Sequence, residues 1–153
     1  MQAMKGDTVQ VIVFKLGEER YGVDISQVRE IIRPTQITRI PNAPDFVEGV
    51  INLRGQITTI VNLRKRFGMP PTPIDNDTRI IVVEYNNAVL GMMVDTVNEV
   101  KYLSQKDIEP LPSIITSREE AKFLKGVGKL PDGLLILIDL NKVLNEGEVE
   151  RLR

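Results

Sequence analysis

Four short stretches of the chain carry residue types that do chemistry elsewhere. Gly126-Val127-Gly128-Lys129-Leu130 resembles the end of a phosphate-cradling loop, and Asp75-Asn76-Asp77 has the acidity of a calcium loop. Arg64-Lys65-Arg66 is a basic triplet, and Arg54 stands in a tight turn, Leu53-Arg54-Gly55-Gln56, between two apolar runs. The first two fail on spacing. A phosphate loop needs glycine at 123 and Ser or Thr at 130, where the chain has Phe123 and Leu130. A calcium loop needs glycine at 80 and a bidentate Glu at 86, where it has Ile80 and Asn86. Asn76-Asp77-Thr78 fits a glycosylation acceptor by chance, since nothing in the sequence directs the chain to a secretory route. The triplet reads as dipole complement at a helix end or as charge left in water.

What is missing narrows the field further. The 153 residues contain no histidine and no cysteine, which excludes Ser-His-Asp, Cys-His, thiolate-metal and phosphohistidine chemistry. Carboxylates such as Asp24 and Glu30 flank apolar strands with no cationic or aromatic subsite near them in sequence. No enzyme is expected, and no cofactor. Twenty basic against 21 acidic side chains leave a net charge of -1, and aromatics make up 5% with no tryptophan. Neither a nucleic-acid footprint nor a stacking platform follows from that. The opening Met1-Gln2-Ala3-Met4-Lys5-Gly6-Asp7 has no apolar signal core, and runs such as Leu134 to Ile138 are too short to span a bilayer. A cytoplasmic protein that does not insert into the membrane is expected.

The elements that must position Arg54 come from an internal duplication. Phe46 to Phe67 lies without a gap on Phe123 to Leu144, displaced by 77 positions, with Phe46/Phe123, Gly49/Gly126, Val50/Val127, Leu53/Leu130, Leu63/Leu140 and Lys65/Lys142 identical. Tyr21 to Ile31 lies on Leu90 to Val100, displaced by 69, with Gly22/Gly91, Val28/Val97 and Glu30/Glu99 coinciding. The second copy therefore carries a longer insert, placed within Lys101 to Lys122.

Each copy reads as β. Val9 to Leu16 and Ile80 to Tyr85 are rich in β-branched residues, and each is followed by a turn (Gly17 to Arg20; Asn86-Asn87) and a return strand. Asn62 caps a short helical piece over Leu63 to Phe67 closed by Gly68, and Asp139 starts its counterpart. A charged helix is expected over Glu146 to Arg153. The proline-rich stretch from Met69 reads as a connector. The expected fold is all-β: one domain over 1–153 with a first small barrel over 9–68, a connector over 69–78 and a second barrel over 79–144. The seam between the barrels would offer a groove.

The duplication also supplies a control for Arg54. The second copy makes the same corner with Leu130-Pro131-Asp132-Gly133, so the corner does not require an arginine. A guanidinium held on a tight Gly-hinged turn is well placed to anchor a partner.

Glu48 to Ile57 (E-G-V-I-N-L-R-G-Q-I), Phe14 to Ile32 upstream and Gly133 to Leu144 near the end resemble the CheW family of chemotaxis coupling proteins over nearly the whole chain. The resemblance implies two SH3-like five-stranded barrels packed together, with short helices and no catalytic activity. It also implies an adaptor that joins chemoreceptor cytoplasmic tips to the regulatory domain of the histidine kinase CheA. By motif, Arg54, Val28, Glu30, Ile57 and Val97 would serve receptor binding, and Ile37, Arg39, Glu48 and Gly49 kinase binding. Each has a plainer reading: the apolar ones as core, Gly49 as backbone geometry repeated in Gly126, and Glu30 as a fold residue repeated in Glu99. A coupling protein of the CheV type, an adaptor in a non-motility pathway, and a small nucleic-acid-binding barrel remain as alternatives.

Overall fold

The computed structural model describes residues 8–85, 87–112 and 123–143. Its elements run β1 (Thr8–Leu16), β2 (Glu19–Asp24), β3 (Val28–Ile32), β4 (Val47–Leu53), β5 (Gln56–Asn62), α1 (Leu63–Arg66), β6 (Arg79–Tyr85), β7 (Ala88–Val94), β8 (Thr96–Ser104), β9 (Ile108–Glu109), β10 (Leu124–Leu130), β11 (Gly133–Ile138) and α2 (Leu140–Val143). Single 3-10 turns at Ile25–Gln27 and Gln105–Asp107 join β2 to β3 and β8 to β9. The fold is all-β, as the sequence implies. The helical segment expected over Glu146 to Arg153 lies outside the described residues.

Two sheets form, with strand orders β8-β1-β2-β11-β10-β9 and β3-β6-β7-β5-β4. The division into barrels differs from the one expected from the repeat. The second sheet is built from one continuous stretch, 28–94, while the first takes the β1–β2 hairpin from the first copy and β8 to β11 from the second. Each barrel thus contains a hairpin from the other copy, joined to its host by the parallel pairs β2/β11 and β7/β5. The boundaries 9–68 and 79–144 therefore do not follow the pairing. Self-similarity identifies which segments are alike, but exchanging equivalent hairpins leaves it unchanged.

Each sheet curls into an open, SH3-like barrel. In the first, the edge strands β8 and β9 are separated by three residues, which brings the two edges together. In the second, Thr38, just beyond β3, bridges Val50 of β4 at the other edge through reciprocal hydrogen bonds of 2.9 and 2.8 Å. Glycine is needed there. Gly49 has φ 145°, and a Cβ on it would lie 2.2 Å from the Thr38 carbonyl oxygen.

Strand alternation divides the apolar residues into three cores. On β1, Val11 and Val13 face the interior of the first barrel, with Leu103, Leu135 and Leu137. Ile12, Phe14 and Leu16 face the other way, into a core shared with Ile81, Val83, Leu90, Met92 and Val94 of the second barrel. Ile51, Ile60, Ile80, Val82 and Met93 fill the second barrel. The shared core is the largest of the three and welds the barrels together. The expected burial of one barrel against the other is present, as a filled seam.

Candidate functional site

Arg54 sits at the tip of the β4–β5 hairpin. Gly55 N donates to Asn52 Oδ1 at 2.8 Å, and Arg54 and Gly55 both have positive φ, 52° and 82°. Two successive left-handed residues make the type I′ turn that suits strand twist, and its preferred residues are Asn and Gly. An arginine in that conformation costs about 1 kcal/mol. The turn therefore opposes Arg54, and the reason for the residue lies in what its side chain does.

The Arg54 side chain is 71% exposed and ion-paired to Glu30, Nη1 donating to Oε2. Glu30 belongs to β3, the opposite edge of the sheet from β4, so the pair straps the hairpin tip across the mouth of the barrel. Hydrogen bonding from Arg54 holds the Glu30 carboxyl below the usual carboxylate range, its charge and that of Arg29 adding to the effect; the same bond raises Arg54. β3 also carries a register shift between Val28 and Glu30. Such an irregularity re-aims side chains. Val28 packs against the seam core, and Ile32 against the interior of the second barrel.

The remaining residues assigned to receptor binding divide between the tip and the seam. Ile57 lies just past the turn and is 71% exposed. Val97, at the start of β8, is half-buried against the seam core that Val28 also joins. The five residues thus span both barrels: Val28, Glu30, Arg54 and Ile57 on one, Val97 on the other.

Those assigned to kinase binding all lie on the 28–94 barrel. Arg39 and Glu48 line a cavity of about 460 Å³ with Ile40, Asn42, Asp45 and Lys65. Glu48 accepts a 2.7 Å hydrogen bond from Asn62 Nδ2 and lies 3.5 Å from Lys65 Nζ. Ile37 instead packs into the barrel interior, and Gly49 is explained by the Thr38 carbonyl against its Cα. For these two the structural reading accounts for the residue.

The basic triplet does stand in the last turn of α1, but its charges are not left in water. Arg64 grips Asp95 at two points, Nε to Oδ1 at 2.8 Å and Nη2 to Oδ2 at 2.6 Å. Lys65 pairs with Glu48. Arg66 lies over the rings of Phe46 and Phe123, 4.5 and 4.8 Å from their centroids, and donates to the Val143 carbonyl. The triplet fastens α1 to three neighbours, a role for which the duplicated Phe46/Phe123 pair was the available signal. Ile40 and Lys65 in the cavity were also not anticipated, and Asn42 between two prolines, with φ 64°, was the cue to a formed loop there.

A family model described as a CheW-like domain matches residues 10–148. The chain is 39% identical to chemotaxis protein CheW of Klebsiella aerogenes, over 95% of this chain and 89% of that protein. It is 36% identical to chemotaxis protein CheW of Rhizobium meliloti, over 92% of this chain and 90% of that protein. The crystal structure of the scaffolding protein TtCheW from Thermoanaerobacter tengcongensis is similar with a TM-score of 0.83 and 38% identity, covering 92% of this chain and 94% of that one.

Proposed function

The chain belongs to the CheW-like family of chemotaxis scaffolding proteins, and from that premise we propose that it couples chemoreceptor cytoplasmic tips to the regulatory domain of the histidine kinase CheA, by binding alone. The observation that carries the receptor half is Arg54: an exposed guanidinium kept on a turn that disfavours it, steadied from β3 by Glu30 and flanked by the exposed Ile57. A helical receptor tip would lay apolar side chains along Ile57, Val28 and Val97 while Arg54 fixes its register. The kinase domain would dock on the 28–94 barrel, where Arg39 and Glu48 offer charges of both signs around one cavity. Many weak contacts in an array then suffice through high effective concentration.

A bridging assay tests this reading. A tagged receptor-tip fragment should retain the CheA regulatory domain on a resin only when this chain is added. Retention independent of the chain, or none in its presence, defeats the proposal.

A further inference from the structure

Asp95 is the single residue between β7 and β8, where the chain leaves one barrel and enters the other. Four contacts converge on it. Arg64, one residue into α1 from the end of β5, grips both carboxylate oxygens. Asp95 Oδ2 also accepts from Gly17 N at 2.8 Å, in the β1–β2 turn, and Asp95 N donates to the Lys15 carbonyl at 3.1 Å. A fifth contact, Arg64 Nη1 donating to the Pro70 carbonyl at 2.8 Å, ties the connector to the same arginine. One barrel supplies Arg64, the other supplies Gly17 and Lys15, and Asp95 is the hinge between them. The pair is largely shielded, with side-chain exposures of 14% and 26%. Such two-point pairing fixes orientation as well as distance.

The duplication again provides a control. The equivalent crossover, β2 to β3, is a 3-10 turn capped by its own Asp24, whose Oδ1 accepts from Ser26 N at 2.9 Å. The residue equivalent to Arg64 is Asn141. The fold thus makes its other crossover with a local cap, and the equivalents of Arg64 and Asp95 there, Asn141 and Ser26, carry no charge.

We propose that Arg64 and Asp95 are positioning residues that lock the angle between the barrels and so hold Val97, two residues beyond Asp95, in register with Val28 for the receptor tip. The assignment of Val28 and Val97 rests on the proposed function above; the lock itself does not. Its consequence is selective. Residues assigned to the kinase lie within one barrel and are indifferent to the angle, whereas the receptor set spans both.

Two independent variants, Asp95→Asn and Arg64→Gln, test it in the full chain. Amide residual dipolar couplings from 28–94 and from the other barrel should fit one alignment tensor in the wild type and require two different ones in each variant. Titration with a receptor-tip fragment should weaken about tenfold, while titration with the CheA regulatory domain changes by less than about twofold. A single shared tensor in both variants overturns the lock, as does equal loss of both partners or a variant too unstable to give a spectrum, since either marks a merely structural pair. If the wild type itself ignores the receptor fragment, the proposed function fails and the couplings still decide the lock.

Discussion

At the β4–β5 tip, Arg54 and Gly55 have φ of 52° and 82°, and the cation on the tip reaches across the barrel mouth to Glu30 on the far edge. At the equivalent β10–β11 tip, Pro131-Asp132 needs no left-handed residue before Gly133, and the tip carries the anion: Asp132 accepts from Arg20 of the adjacent strand β2 at 3.3 Å. Both tips keep the same register, Leu53 opposite Gln56 and Leu130 opposite Gly133, and each presents an exposed apolar residue next, Ile57 at 71% and Leu134 at 63%. One plan has been given two chemistries. The Pro-Asp-Gly tip uses residues its turn favours, so the fold suffices to explain it. The Arg-Gly tip departs from local preference, and departures of that kind mark function.

The largest predicted contrast concerns the glycines at the barrel edges. Gly49→Ala must place a Cβ 2.2 Å from a carbonyl oxygen at φ 145°, whereas Gly126→Ala meets the Glu109 carbonyl oxygen at 2.8 Å without a left-handed backbone. Chemical denaturation should show Gly49→Ala losing about 3 kcal/mol or more and Gly126→Ala about 1–2 kcal/mol. Equal losses would mean that backbone strain does not separate the two copies.

Next in size is Arg54→Asn, which gives the type I′ turn a residue it prefers. Stability should rise by about 0.5–1 kcal/mol while receptor-tip binding is lost. A fall in stability in the same denaturation experiment would show that the Glu30 strap outweighs the turn. The smallest effect is electrostatic. Glu30 is held below its usual value, so the strap is intact at neutral pH and is lost as pH falls through that lowered value. Following the Glu30 carboxyl carbon by NMR, Arg54→Ala should return its titration to the usual carboxylate range and leave that of Asp132, which Arg20 lowers, where it was.

Much of this was legible in the sequence because it is local. Asn62 does cap α1, accepting from Lys65 N, with Gly68 at φ 79° beyond the helix end, and the β6–β7 turn does use a left-handed Asn87. The insert expected within Lys101 to Lys122 lies largely outside the described residues, which stop at 112 and resume at 123. Thr38 and Glu109 are equivalent bridging residues, 71 apart, so of the eight extra residues two precede Glu109 and six follow it, before Gly126. What the sequence hid is pairing between distant segments. Hairpin exchange leaves the repeat unchanged, and Arg64–Asp95 joins residues 31 apart whose equivalents in the other copy, Asn141 and Ser26, carry no charge. For Ile37 core is the plainer reading and contact the one the resemblance implies, and its segment alone does not decide between them, because burial of an apolar residue is set by neighbours that the segment does not contain.

The central claim is that Arg54 is retained for a partner and not for the fold. The most direct test is titration of wild type and Arg54→Ala with a receptor-tip fragment and, separately, with the CheA regulatory domain. The account predicts that the variant loses the receptor tip while binding the kinase domain as the wild type does. Unchanged affinity of the variant for the receptor tip would contradict it.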